Sequence, residues 1–348
     1  MDYYCNRLIK AVDEVGGWLE KGKVPLYSGT FSKKLYTQHQ HLKCLVVKTL
    51  FRLRYRELVE LLGVSDVLSR RIGLKKVPHY TTFQKFSARF PCRVLHQLIA
   101  GVAKRICSGT LNLSIDSTGF CLDASSYHYS SRIQRMERNR SYVKTTLAVD
   151  TNTQCVAAAK IRLKRRHDIV DAIPILKKSR LLGRIQTVVA DRGYDSEELM
   201  QYIEHEIRAK PIIALKHMEK PLKRTNGEIR KRLKKAFPQE EYRQRSKSET
   251  VNSTLKRRYD STIRAKKNHT QRQDVLLKIL THNLTLANKL VKILKDFYRA
   301  QLKLITFLRT KLRKKPYLGC FTNFLLPLSL SIRFYVYPLL LHIKSPDS

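Results

Sequence analysis

Tyr242–Lys256 reads YRQRSKSETVNSTLK. Four residues in it stand out, Tyr242, Arg245, Glu249 and Lys256, spaced by three, four and seven positions. On an α-helix, with about 100° per residue, they fall at roughly 0°, 300°, 340° and 320°. Val251 and Leu255 fall on the opposite side of the same wheel. The spacing predicts one amphipathic helix with an apolar back and a front bearing a carboxylate, two cations and a phenol. A solvated charged face would give the same pattern. A carboxylate for a metal ion beside cations for phosphates is, however, what phosphodiester chemistry requires.

The spacing Y-x2-R-x3-E-x6-K resembles the YREK signature of a large group of prokaryotic insertion-sequence transposases of the DDE type, and matches it at all four positions. The resemblance implies an α/β fold: an RNase H-like catalytic domain, a mixed sheet flanked by helices, preceded by a helical N-terminal region. It also implies two aspartates elsewhere in the chain and contacts to DNA ends from Tyr242, Arg245 and Lys256. The implied partner is double-stranded DNA, as the element's terminal inverted repeats and as target, with a homodimer in the synaptic complex. The implied location is the cytoplasm, at the nucleoid.

Two strand-like stretches supply candidate aspartates. In LNLSID, Leu111, Leu113 and Ile115 alternate with polar residues up to Asp116, the period of a strand with one apolar face. Ser117, Thr118 and Gly119 follow, so Asp116 is expected at the strand's end, where an aspartate is by default a turn or cap residue. The DSTG string also resembles the first-aspartate motif of these transposases. Further on, IQTVVAD (185–191) is a short apolar run closed by Asp191, with RGYDSEEL behind it. Asp195 and Glu198 have the form of a capping box. That sets Asp191 in a tight strand-to-helix connection, where α/β folds often place catalytic groups. ADRGYDS is very similar to the family's second-aspartate motif.

Asp116, Asp191 and Glu249 are thus the candidate catalytic residues and metal ligands. Carboxylates suit Mg or Mn, both hard cations. Two such ions clamp the attacking and leaving oxygens of an in-line phosphoryl displacement. In this reading Asp116 bridges both ions, and Asp191 and Glu249 each complete one. Arg245 and Lys256 hold phosphates, and Tyr242 stacks on or hydrogen-bonds to a terminal nucleotide.

The remaining chain fits around this core. Of 348 residues, 69 are Lys or Arg and 28 Asp or Glu, a net charge of +41 that calls for a polyanionic partner. The seven cysteines are dispersed, without zinc-ligand spacing, and suit a reducing compartment. The charged N-terminus does not read as a signal peptide. Residues 1–108 read as helical. Gln38–Leu62 forms one long helical pattern closed by Gly63, and a short helix follows in SDVLSRRIGL. A third begins near HYTTF, where the threonines are candidate caps. Helix, turn and basic helix resemble a helix-turn-helix DNA reader, with a helical packing bundle as the alternative.

Residues 123–141 read as a polar loop. YVKTTLAVD and CVAAAKIRL read as paired strands joined by a turn, Asp168 as a cap for the next helix, and AKPIIAL as another strand. The basic segment 216–241 is too short for the large β-rich insertion some relatives carry. It reads as a loop or a phosphate-contacting arm. Asp274–Asp296 is helical in pattern, and these elements complete a domain over 109–300. The tail, 301–348, is apolar from about Phe307 but carries prolines and Arg333, against a membrane span. Rival readings are an RNase H-like nuclease without strand transfer, a catalytically lapsed transposase-derived DNA-binding protein, and a basic protein anchored in a membrane by 318–343.

Overall fold

The longest strand, β1 (Thr110–Leu122), lies at the centre of a mixed sheet ordered β3-β2-β1-β4-β5. The computed structural model describes residues 2–107, 109–122, 142–164 and 166–289, with side chains in the first helix described from Val12 onward. β2 (Tyr142–Asp150) pairs antiparallel with β1 over its whole length, and β3 (Val156–Arg162) continues the meander. The turn between them is tied by Asp150, whose Oδ2 accepts from the Thr153 amide at 3.0 Å and the Thr153 hydroxyl at 2.7 Å. The chain then crosses over through helix α7 (Ile169–Arg180) to β4 (Arg184–Ala190), parallel to β1. A second crossover leads to β5 (Lys210–Ile213), parallel to β4. Antiparallel strands joined by turns and parallel strands joined by helices are the two connections such a sheet allows. A two-residue strand, β6 (Thr262–Ile263), pairs with the far end of β1.

Six helices precede the sheet: α1 (Asp2–Lys21), α2 (Gln38–Leu50), α3 (Tyr55–Val64), α4 (Asp66–Ile72), α5 (Tyr80–Arg89) and α6 (Cys92–Ile106). Val15, Leu19, Leu42, Leu45 and the apolar face of α6 are buried in the same continuous core as the sheet. A smaller core, including Val12, Cys44, Leu58, Leu62, Leu68 and Phe83, holds the N-terminal helices to one another. Burial drives the Cys44 thiol up to about 12, so this cysteine is an inert hydrophobe. Residues 1–287 form one compact unit.

The two faces of β1 have different partners, because side chains alternate along a strand. Ser117 points to one side, where its hydroxyl meets Thr146 Oγ1 at 2.8 Å and the buried Tyr194 phenol at 2.9 Å. Thr146 in turn contacts Asp171 of α7, a fully buried carboxylate that receives Arg162 Nε at 2.6 Å. Ser114 and Asp116 point to the other side, toward the helix that carries Glu249.

Several expectations are corrected. Asp116 lies within β1, not at its end, because β2 keeps pairing as far as Cys121. Gln38–Leu62 is split into α2 and α3. Arg52 takes a left-handed backbone (φ 57°), and the Arg54 amide donates at 2.8 Å to Glu57, which starts α3. Gly63 lies inside α3, and Ser65 begins α4. The threonines of HYTTF fall in the first turn of α5 rather than capping it. Asp168 makes no side-chain cap and pairs instead with Lys144 at 2.6 Å. Ser196, not Asp195, is the N-cap of α8 (Glu197–Gln201), which continues as a π-helical turn to Ile207.

The basic segment 216–241 is partly folded as α9 (Glu228–Lys235), anchored by buried Ile229 and Leu233. The last described helix, α12, runs through residues 268–289. The loop 123–141, the end of the predicted Asp274–Asp296 helix and the tail 301–348 lie outside the described residues. Among the described residues, no helix is long and apolar enough to cross a membrane.

Candidate active site

The parallel pairing of β1 with β4 ends where Ile115 opposes Ala190. The next residue of each strand is an aspartate, Asp116 on β1 and Asp191 after β4. β4 stops there because the chain turns into a 3-10 helix, Arg192–Tyr194. Asp191 initiates that turn, its Oδ1 accepting the Gly193 amide at 2.9 Å. A Cβ on Gly193 would sit 3.0 Å from the same carboxylate oxygen, so a larger residue would crowd it. Beyond this point β1 loses β4 as a neighbour and regains one only at Cys121, opposite Thr262. The sheet is therefore open on that edge of β1 just where the two aspartates stand.

Asp116 is partly buried, and burial raises its carboxyl above the usual range. The Asp191 charge pushes in the same direction. Hydrogen bonds from the Ser117 amide (2.9 Å) and from Asn252 Nδ2 (2.8 Å), with the Arg245 charge, pull it back. A carboxylate whose ionisation is opposed by burial and by a neighbouring negative charge is stabilised by a cation placed beside it.

Tyr242–Lys256 is helical throughout but is not one α-helix. Tyr242 ends the short helix α10 (Gln239–Tyr242), Arg243–Arg245 winds as a 3-10 turn, and α11 (Ser246–Tyr259) carries the rest. The expected apolar back is there, with Val251, Leu255 and Tyr259 buried. Each such side chain contributes about 1.5–3 kcal/mol when fully withdrawn from water. The closest approach to the sheet is made by small residues. The hydroxyls of Ser114 and Ser248, both fully buried, meet at 2.8 Å, and Ser248 also donates to the Arg245 carbonyl at 2.8 Å. Asn252, one turn beyond Ser248, reaches Asp116 from this seat.

Tyr242, Arg245, Glu249 and Lys256 line the outer side. Glu249 is about half exposed and paired with Arg245 at 2.7 Å. Arg245 also lies over the Tyr242 ring at 5.9 Å, and that ring packs edge-on against Phe237 at 5.1 Å. Burial raises the Tyr242 phenol. The smaller effects of Arg245, Asp191, Arg192 and Glu249 place it among those charges. Lys256 is half-buried two turns past Glu249.

The structure thus brings Asp116 and Asp191 together and sets Tyr242, Arg245 and Glu249 around them. It does not gather all three acids into one cluster. Among the described residues, no three acidic, histidine or cysteine side chains are close enough to hold a metal ion; Glu249 is engaged by Arg245 instead. Two carboxylates at an open strand edge offer hard oxygen donors only, a set that fits Mg or Mn and not a soft metal. The sequence reading missed Asn252, Ser114 and Ser248. Ser248 lies three positions before Val251 and Asn252 three before Leu255, so the helical wheel could have placed both on the buried face.

No curated protein is similar enough to this chain to match it. The family model described as the transposase DDE domain matches residues 109–284, just over half of the chain. Its bounds enclose β1 through β6, both aspartates and the Glu249 helix. By that match, on a sheet whose strand order and crossovers agree with an RNase H-like fold, the chain belongs to the transposase DDE domain family.

Proposed function

We propose that this protein is a DNA transposase that cleaves the ends of its element and joins them to target DNA. The observation that carries the reading is the placement of Asp116 and Asp191 one residue past the last β1–β4 pair, at the open edge of β1, beside a helix that carries Glu249. Asp116 and Asp191 are the residues that would hold divalent Mg or Mn. Two such ions, when bound, stabilise the charge on the attacking and departing oxygens of an in-line displacement. The protein's own residues do the positioning. Arg245, now paired with Glu249, exchanges that carboxylate for a DNA phosphate, which a planar guanidinium binds in two-pronged fashion. The exchange frees Glu249 to turn toward the two aspartates. Lys256 takes a second phosphate. Tyr242, already held edge-on by Phe237, offers a ring face to a terminal nucleotide. The helices before residue 109 read the terminal repeats, and two copies hold the two ends in a homodimer.

The test is Mg-dependent nicking and joining of a duplex carrying an element end, beside a gel shift at equal protein. Asp116→Asn, Asp191→Asn and Glu249→Gln each abolish both reactions while leaving DNA binding largely intact. The three losses do not add, because the ligands act as a unit. Arg245→Ala and Lys256→Ala weaken engagement of the end instead. A pre-cleaved end that is never joined would reduce the protein to a nuclease. Glu249→Gln nicking at the wild-type rate would sink the assignment.

A further inference from the structure

Asn252 is 7 % exposed, on the inner face of α11 between Ser248 and Leu255. Its Nδ2 donates to Asp116 Oδ2 at 2.8 Å, bridging residues 136 positions apart. Its Oδ1 is buried and has no hydrogen-bond partner among the described residues. A buried carbonyl oxygen left unpaired costs stability, and the neighbouring inward positions show the alternative: Val251 and Leu255 fill the same face with apolar side chains. If packing alone governed position 252, an aliphatic residue would serve better. The one thing the carboxamide does that an aliphatic side chain cannot is to hold Asp116.

A second hydrogen bond restrains Asp116 from the backbone. The Ser117 amide binds Oδ1, the opposite oxygen. Asn252 therefore fixes the rotation of the carboxylate about its own axis, with one oxygen pinned from the backbone and the other from α11. Because α11 is seated on β1 by the contact between Ser114 and Ser248, the same helix that delivers Glu249 also sets the orientation of Asp116.

We propose that Asn252 is a positioning residue that orients Asp116 toward a divalent cation. The inference rests on the metal-dependent reading given above. Partners that orient a metal ligand in this way typically change metal affinity by about 10–100-fold when removed.

The test uses the full-length protein and Mn2+ alone as probe, with binding read by electron paramagnetic resonance or calorimetry and folding read by thermal melting. Asn252→Leu, close in volume, is expected to weaken Mn2+ binding at least about tenfold. Its melting temperature should be unchanged or raised, and DNA binding unchanged. Nicking falls at low Mn2+ and recovers as Mn2+ is raised, a change in the metal requirement rather than in the maximal rate. Asn252→Leu that melts lower and binds Mn2+ as the wild type does would make Asn252 a packing residue and overturn the proposal. Should that variant not fold, Asn252→Gln and Asn252→Met decide. They are nearly equal in size and only Gln retains an amide donor long enough to reach Asp116, so equal Mn2+ affinity in the two overturns the proposal. Asp116→Asn is run in parallel. If it loses Mn2+ binding while Asn252→Leu keeps it, the positioning role alone fails. If neither variant alters Mn2+ binding, the centre itself is misplaced and both readings fall.

Discussion

At the scale of single residues, His96 on α6 carries the clearest consequence for stability. Burial, and then the charges of Lys178 and Lys160, lower its imidazole from 6.5 to about 4. In the unfolded chain it regains its ordinary affinity for protons, so between those values the unfolded state binds more protons than the folded one. The stabilising effect is complete above about 6.5 and is lost as pH falls toward about 4. His41, lowered chiefly by burial, acts in the same direction. Because His96 is only partly enclosed, screening leaves roughly 1 kcal/mol between pH 7 and pH 5. Urea midpoints at the two pH values should differ accordingly, and His96→Gln should shrink the difference. The residues proposed to carry chemistry were legible to differing degrees. Asp116 and Asp191 sit in local strings, each closing a strand-like pattern of apolar residues, and can be found without a fold. Asn252 cannot, because its meaning depends on a partner 136 positions away. The pairing of Glu249 with Arg245 was equally hidden, since i and i+4 spacing permits a helix pair and a shared ligand alike.

At the scale of elements, α9 shows how a helix can be specified from outside itself. Its N-cap, Gly227, has φ 96° and no side chain to satisfy the first amides. Glu197 of α8 does so instead, accepting from Ile229 N at 2.9 Å and Arg230 N at 3.2 Å. A Cβ on Gly227 would collide with that carboxylate. Gly227→Ala therefore meets both a left-handed backbone and a clash, and should cost more than about 1 kcal/mol. Glu197→Ala should cost about 1 kcal/mol by uncapping α9. The double variant should lose less than the sum, which thermal melting of the four proteins would show. Glu197 is thus no neutral surface position. The sequence concealed α9 because its two apolar anchors, Ile229 and Leu233, are surrounded by lysine and arginine. It concealed the break before α3 for another reason: Arg52 takes a positive φ without the glycine that usually announces one. The strands were legible because alternation and short apolar runs survive in β1 through β5, although hydrogen bonding carries β1 well past the polar residues that suggested a turn.

At the scale of the whole molecule, a net charge of +41 dominates. Binding to non-specific duplex should weaken steeply as salt rises, because each neutralised phosphate releases condensed counterions. A flat response across about 50–200 mM salt would contradict a phosphate-dominated interface. The sequence fold, site and charge converge on one polyanionic partner, yet the parts that would meet it differ in rigidity. β1 is bonded to β2 from Leu113 to Cys121, through the position of Asp116. Arg245 and Glu249 lie where a 3-10 turn passes into the first turn of α11. Backbone amides directed from β1 to β2 should exchange with solvent deuterium only when the whole unit opens, whereas those of residues 243–247 should exchange through small local openings. One carboxylate of the proposed centre is then fixed for the lifetime of the fold, and another is renewed on the faster clock of a helix end.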